Sequence, residues 1–303
     1  MIKVSMANKG SRVITTTKFK NYDVCLNPYV GCQFGCKYCY VRFFVKDDEK
    51  PWGEFVRLRK HIATRLPVEI AKGTLDGKRL VIGTMTDPYQ PVERKERLTR
   101  LSLELIRDLD HKPSKVGIFT RSPIVLDDLG LIAGLPRVRV HFTVTPFSPE
   151  IMQRIEPLAI RTDRRIDTIK KIKAAGIRTH INVSPALPIL SDGLVEKYAE
   201  MIGEIGVSEF YVDPMQCYGP AYEATATALK DLPQWFEISD ILSDETRYST
   251  WKSAFRDSWI TAWKKYGKPE TMAIWQDHES GLAIDMKTGE TLNWKRYGDD
   301  AEP

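Results

Sequence analysis

A chain of 303 residues is at the upper end for one domain, or makes one domain with an appendage, and 42% hydrophobic residues supply an ample core. The net charge of +5 is spread in mixed sign, as in VERKERLTR at residues 92–100, so no block of like charge marks a nucleic-acid tail, while contact with phosphate stays permitted. No run of signal-peptide or membrane-spanning character occurs, and five cysteines, three of them clustered, are the wrong set for a disulfide framework. A cytoplasmic, reducing setting with no membrane partner is therefore expected.

Residues 1–20 are polar and read as a lead-in of irregular or short-strand character. Residues 22–27 (YDVCLN) hold β-formers, with Cys25 as a small buried hydrophobe. Residues 54–72 carry Phe55, Leu58, Ile62, Leu66 and Ile70 at helical spacing, with Pro67 as a kink or break. Strands are then expected at 79–84, 115–120, 138–145, 177–183 and 207–213, and helices at 95–109, 123–133, 163–175 and 194–205; Gly176 and Gly206 follow the last two as C-cap signals. Past residue 218, helices are expected at 221–229 and 251–266. In the second, Trp251, Phe255, Trp259 and Trp263 make a core-facing stripe. Residues 271–294 alternate in short apolar runs, as a small β-meander does. Strands alternating with helices argue for βαβ units and a parallel sheet, either open and doubly wound or a partly closed barrel. No G-x-G-x-x-G follows the first strand, so a dinucleotide fold has no support.

The stretch NPYVGCQFGCKYCY at residues 27–40 sets Cys32, Cys36 and Cys39 in a C-x3-C-x2-C spacing that lets a tight loop aim three thiolates at one metal centre. Gly31 and Gly35 each precede a cysteine, where freedom at φ lets the backbone close round a bulky core. A cubane cluster takes one sulfur per iron, so three cysteines leave one iron open to something other than protein. A structural zinc knot with Cys25 as fourth ligand is the alternative, but six residues separate Cys25 from Cys32 and no second close pair exists.

This loop resembles that of the radical S-adenosylmethionine enzymes. With GTMTDPYQPVE at 83–93, FTRS at 119–122 and RIEPLAIRTDRRIDTIKKIKAAGI at 154–177, the chain resembles the branch that includes spore photoproduct lyase, over about residues 20–215. The resemblance implies an α/β fold, a partial (β/α)6 TIM-like barrel, and a [4Fe-4S] cluster on Cys32, Cys36 and Cys39. In that family S-adenosylmethionine chelates the open iron, and an electron from the cluster cleaves it to methionine and a 5'-deoxyadenosyl radical. An electron donor such as flavodoxin or ferredoxin is implied as partner. The expected organisation is a lead-in at 1–20, the barrel at 21–218, and an extension at 219–303 that closes the barrel and shapes the substrate site.

Active groups of such barrels stand at the carboxyl ends of the strands. Arg121 and Ser122 could meet the methionyl carboxylate, Thr84, Thr86 or Asp87 its ammonium, Asn182 the ribose, and Tyr38 the adenine; Arg161 or Arg164 could reach the carboxylate instead. Glu156, Ser184 and Asp213 lie on the same rim. Cys217, beside Tyr218, is the candidate hydrogen donor to a product radical, and a packing thiol is the other reading. Spore photoproduct lyase keeps a cysteine donor where this chain has Met85, Thr86 and Asp87, and it has a longer leading region than the 31 residues before Cys32 here. The expected reaction is a lyase-type bond cleavage or rearrangement on a small metabolite or modified nucleobase. Repair or modification of nucleic acid, and a non-catalytic metal-binding module, are the alternatives.

Overall fold

A computed structural model of the chain describes residues 2–292 except 9, 11, 20, 109, 159 and 279. In chain order the elements begin β1 (Lys3–Met6), β2 (Ile14–Thr16), β3 (Val24–Leu26), β4 (Tyr29–Val30), β5 (Phe55–Leu58), α1 (Ile62–Ala71) and β6 (Arg79–Ile82). They continue with α2 (Glu93–Glu96), α3 (Leu98–Asp108), β7 (Lys115–Thr120), α4 (Leu129–Ala133), β8 (Arg139–Thr143), α5 (Pro149–Ile155), α6 (Thr162–Ala174) and β9 (Arg178–Ala186). Then follow α7 (Val195–Ile205), β10 (Glu209–Pro214), α8 (Gly219–Leu229), α9 (Trp235–Ser243), α10 (Glu245–Tyr266), β11 (Met272–Asp277) and β12 (Leu282–Asp285). Over the described residues the chain divides into two compact units, the first Met1–Cys36, Val41–Phe142 and Leu158–Thr179, the second Lys37–Tyr40, Thr143–Pro157 and His180–Pro303.

In the first unit β3, β6, β7 and β8 pair in parallel, and β2 adds to β3 antiparallel. Leu80, Val81 and Ile82 of β6, with Val116 and Ile118 of β7, are fully buried, as strands covered on both faces require. A separate small sheet joins β5 to β1 in parallel and to β4 antiparallel. Residues 55–58 are thus a strand and not the opening of a helix. Phe55 and Val56 favour a pleated, half-buried surface, and their spacing to Ile62 matches helix periodicity only by coincidence over a short window. The helix starts at Ile62, buries Ile62, Leu66 and Ile70, and carries Pro67 without ending there. Arg97, in the left-handed region at φ 51°, separates α2 from α3. The buried Glu93 carboxylate caps the new helix by accepting the Thr99 and Arg100 N–H groups, both at 3.0 Å, and it also receives the Tyr29 hydroxyl. Burial raises the pKa of Glu93 and of Tyr29 alike. Residue 109, expected at the end of this helix, lies outside the described residues. Residues 123–128 form a 3-10 turn before α4, where one continuous helix was expected.

In the second unit β9, β10 and β11 run parallel, and β12 returns antiparallel to β11. The 271–294 stretch is therefore more than a meander: its first strand extends a parallel sheet, a long-range pairing that the 22 residues of α10 make possible as a crossover. Residues 293 and 294 of that expectation lie outside the described residues. Three members of the expected aromatic stripe of α10 pack as core, Phe255, Trp259 and Trp263 each at most 3% exposed, while Trp251 is half-buried. Trp263 lies 4.5 Å from the Phe210 ring of β10, and Phe255 lies 6.0 Å from Trp275 of β11. Each such burial contributes about 1.5–3 kcal/mol. Two helices, α5 and α9, were not among the expected elements, although Trp235, Ile238 and Leu242 of α9 fall at helical spacing; α5 is started by Ser148, whose hydroxyl accepts the Ile151 N–H, with Pro149 in the first turn. Among the described residues no helix is long and apolar enough to cross a membrane.

Gly117 of β7 makes room for the buried Tyr22 ring, whose hydroxyl lies 2.7 Å from His141 Nε2; a Cβ at 117 would stand 2.1 Å from that hydroxyl. Gly117→Ala is therefore expected to destabilise the protein by about 1–3 kcal/mol through overpacking, read as a lower urea midpoint at unchanged m value.

Candidate active site

The first arm of the cysteine loop belongs to the first unit, where Cys32 and Cys36 are buried. Gly31 has φ +88°, and a Cβ there would meet the Phe55 carbonyl oxygen at 2.5 Å, so the chain can enter the loop only with glycine. Behind Cys36, the backbones of Gly35 and Gly53 touch, with a Cβ on Gly53 falling 2.8 Å from the Gly35 Cα.

The loop after β6 holds this arm. Gln90, fully buried, accepts the Gln33 N–H at 2.8 Å through Oε1, while its Nε2 donates to Thr86 Oγ1 at 2.9 Å and to the Gly31 carbonyl at 3.3 Å. The Thr86 hydroxyl donates to the same carbonyl at 2.6 Å, and Gln33 Oε1 accepts the Val92 N–H at 2.6 Å. Asn27 links the other side, donating to Thr84 Oγ1 at 3.2 Å and accepting the Met85 N–H at 2.8 Å.

Asp87 joins this loop to the end of β7. Its carboxylate accepts the Tyr89 N–H at 2.9 Å, the Thr120 hydroxyl at 2.8 Å and the Arg121 N–H at 2.9 Å. Burial pushes its pKa up, and the contacts with Arg121, Thr120 and Tyr89 oppose that. The Arg121 guanidinium donates to Cys36 Sγ at 3.0 Å. Ser122, 1% exposed, gives its hydroxyl oxygen to the Ile124 N–H at 3.3 Å. The structure thus brings Cys36, Thr84, Thr86, Asp87, Arg121 and Ser122 into one hydrogen-bonded assembly with the loop backbone. Arg161 stands outside it, 83% exposed and paired with Asp163 at 3.2 Å.

The second arm, residues 37–40, belongs to the second unit. The Lys37 N–H donates to the Ile155 carbonyl at 2.8 Å, and the Tyr38 hydroxyl donates to Glu156, which is 3% exposed. Glu156 also receives the Thr145 hydroxyl at 3.3 Å. Tyr38 packs against an apolar cluster that includes Phe147, Met152, Met215 and Leu242, and Cys217 packs against the same cluster. Tyr218 is 55% exposed and donates to Gln216 at 3.2 Å. Asn182 is half-buried in β9, and its carbonyl accepts the Val144 N–H at 2.8 Å. Sequence reading missed Gln90 and Asn27 as supports of the loop; the signal was an amide inside each of the two unusual words, NPYVGC and TDPYQPVE.

The donor chemistry fits an iron–sulfur cluster: three thiols sit in one short segment, and a guanidinium N–H is directed at one of them. Among the described residues no three His, Cys, Asp or Glu side chains close on a single ion. In a cluster each cysteine takes a separate iron, so such convergence is not needed.

A family model described as the radical SAM superfamily matches residues 26–202. An uncharacterized protein of Methanocaldococcus jannaschii is 30% identical over 185 residues, 61% of this chain and 68% of that protein. An uncharacterized protein of Mycobacterium tuberculosis is 29% identical over 190 residues, 60% of this chain; the match spans 55% of that relative, little more than half its length. Spore photoproduct lyase complexed with dinucleoside spore photoproduct is similar in structure, with a TM-score of 0.64 at 13% identity over 90% of this chain and 82% of that one. A variant of that lyase with bound AdoMet and dinucleoside spore photoproduct gives 0.60 at 16% identity, over 89% and 80%. This likeness shows the fold, α/β with parallel strands in a partial TIM-like barrel. With the family model matching well over half of its residues, the chain belongs to the radical SAM superfamily.

Proposed function

We propose that this chain is a radical SAM enzyme that cleaves S-adenosylmethionine reductively and uses the resulting radical for a lyase-type bond cleavage or rearrangement on a small metabolite or modified nucleobase. The observation that carries this reading is the Arg121 guanidinium 3.0 Å from Cys36 Sγ, inside a loop whose backbone is already fixed by Gln90 and Thr86. Cys32, Cys36 and Cys39 would hold the [4Fe-4S] cluster. When bound, that cluster supplies the electron that splits S-adenosylmethionine into methionine and a 5'-deoxyadenosyl radical.

The chain's own residues bind and orient. Arg121 lies nearest a cluster ligand and is the cation best placed for the methionyl carboxylate, while Thr84, Thr86, Asp87 and Ser122 keep the surrounding loops rigid. Asn182 would meet the ribose and Tyr38 the adenine. Cys217, with Tyr218 beside it, would return a hydrogen atom to the product radical. Residues 219–303 would help select the substrate, and a flavodoxin or ferredoxin would deliver the electron. A second reading, cleavage of a nucleic-acid lesion, is favoured by the likeness to a lyase that carries a dinucleoside lesion. Met85, Thr86 and Asp87, where that enzyme keeps its cysteine donor, weigh against it.

Anaerobic reconstitution with iron and sulfide, then reduction with S-adenosylmethionine present, is expected to give a brown protein that releases 5'-deoxyadenosine. Cys36→Ala should lose both the colour and the release; full iron content in that variant, or a colourless zinc protein from the parent, would overturn the reading. Gln90→Ala is expected to cost about 1–3 kcal/mol, because the Gln33 N–H loses its acceptor, and to lower the iron taken up per chain. Glu156→Ala removes the carboxylate that accepts the Tyr38 hydroxyl and, at 3.3 Å, that of Thr145, and should cost a similar amount, about 1–3 kcal/mol by denaturant titration. Glu156→Gln keeps an acceptor and should recover most of it.

A further inference from the structure

The parallel strands β9, β10 and β11 bring Ser184, Asp213 and, one residue past β11, His278 to their carboxyl ends. The register of β10 on β9 shifts between Val212 and Pro214, so Asp213 lies in an irregularity of the kind that re-aims a side chain. Its Oδ2 accepts the Ser184 hydroxyl at 3.3 Å and faces His278 Nε2 at 3.3 Å. Its Oδ1 is buried and has no hydrogen-bond partner among the described residues. The Asp213 side chain is 13% exposed, whereas His278 is 49% exposed.

The contrast with Asp87 is informative. That buried carboxylate, which ties loops together, has donors on both oxygens. Asp213 is held from one oxygen only, and the neighbouring carboxylate Asp277 has its own partners, the Lys252 ammonium and the Ser280 hydroxyl, each at 2.9 Å. Burial raises the Asp213 pKa and Asp277 adds to that, while His278 and Ser184 oppose it. A buried acceptor left without a donor costs about 1–3 kcal/mol, so a fold that keeps one at a strand end gains from a ligand that supplies the donor.

We propose that Ser184, Asp213 and His278 form a substrate-anchoring site in which Asp213 Oδ1 accepts a hydrogen bond from an N–H group of the ligand. Ser184 and His278 hold the carboxylate in place from its other oxygen, and the half-exposed imidazole stands where the ligand would enter. The N–H donor has two chemical sources: the imide edge of a pyrimidine base, or a protonated amino group. The proposal rests on reading the chain as an enzyme whose substrate binds at these strand ends.

The test is calorimetric titration of the anaerobically reconstituted protein with uridine, N3-methyluridine and putrescine. Binding of uridine that N3-methylation removes identifies an imide, and binding of putrescine identifies an amine. In either case Asp213→Ala, which removes the acceptor, should weaken binding about tenfold or more, the loss expected for one hydrogen bond to a charged group. If that variant does not fold, Ser184→Ala, which only loosens the carboxylate, should weaken the same probe. Equal binding by parent and variants overturns the site, as does failure of the parent to bind either uridine or putrescine at millimolar concentration. Release of 5'-deoxyadenosine by the unsubstituted protein is scored separately. Its absence defeats the proposed function, while the probe titrations still decide the anchor.

Discussion

One neutral side chain, the carboxamide of Gln90, fixes the entry to the cysteine loop. It serves the Gln33 N–H and the Gly31 carbonyl at once and is itself held by Thr86. In a buried setting such hydrogen bonds are strengthened, and a neutral group provides them without the desolvation cost of a charge. Gln90 and Thr86 thus add no charge of their own beside the thiols; the guanidinium that donates to the Cys36 thiol is that of Arg121, while Arg42 donates to the Cys36 carbonyl at 3.4 Å. Asp87 in turn fixes Arg121 by its backbone, so the guanidinium departs from a point that does not drift.

The second unit applies a similar solution to the other arm of the loop, with a carboxylate in place of the amide. Glu156 is buried and receives hydroxyls from Tyr38 and Thr145, and the neighbouring Ile155 carbonyl takes the Lys37 N–H. Tyr38 and Cys217 lean on one apolar cluster, so the aromatic ring beside the last cysteine and the candidate hydrogen donor share a wall. Order in that wall comes from α5, α8 and α9 rather than from the strands alone.

Much of this was legible in the residues. The spacing of Cys32, Cys36 and Cys39 carried the family, and the alternation from Arg79 to Pro214 carried the parallel strands, because buried strands and one-sided helices differ in period. Of the stripe Trp251, Phe255, Trp259 and Trp263, the last three are core, while Trp251 is half-buried and its indole N–H donates to Asp192 at 2.8 Å. What could not be read depends on partners distant in sequence. Phe55–Leu58 is a strand because β1 and β4 lie on either side of it, and Met272–Asp277 is a parallel strand because β10 accepts it. Gln90 matters through Gln33, and the exposure of Arg161 follows from where α6 begins, not from its own spacing.

The contact between Gly35 and Gly53 closes the intervening chain into a ring whose neck is pure main chain. A neck without side chains has no volume to yield, and the polar stretch beyond it is pinned as well, Asp47 accepting the Lys50 N–H and the Arg57 guanidinium, each at 3.2 Å. The excursion is therefore tied at its stem and again along its span, which leaves little slack to pass on to the seat of the thiols.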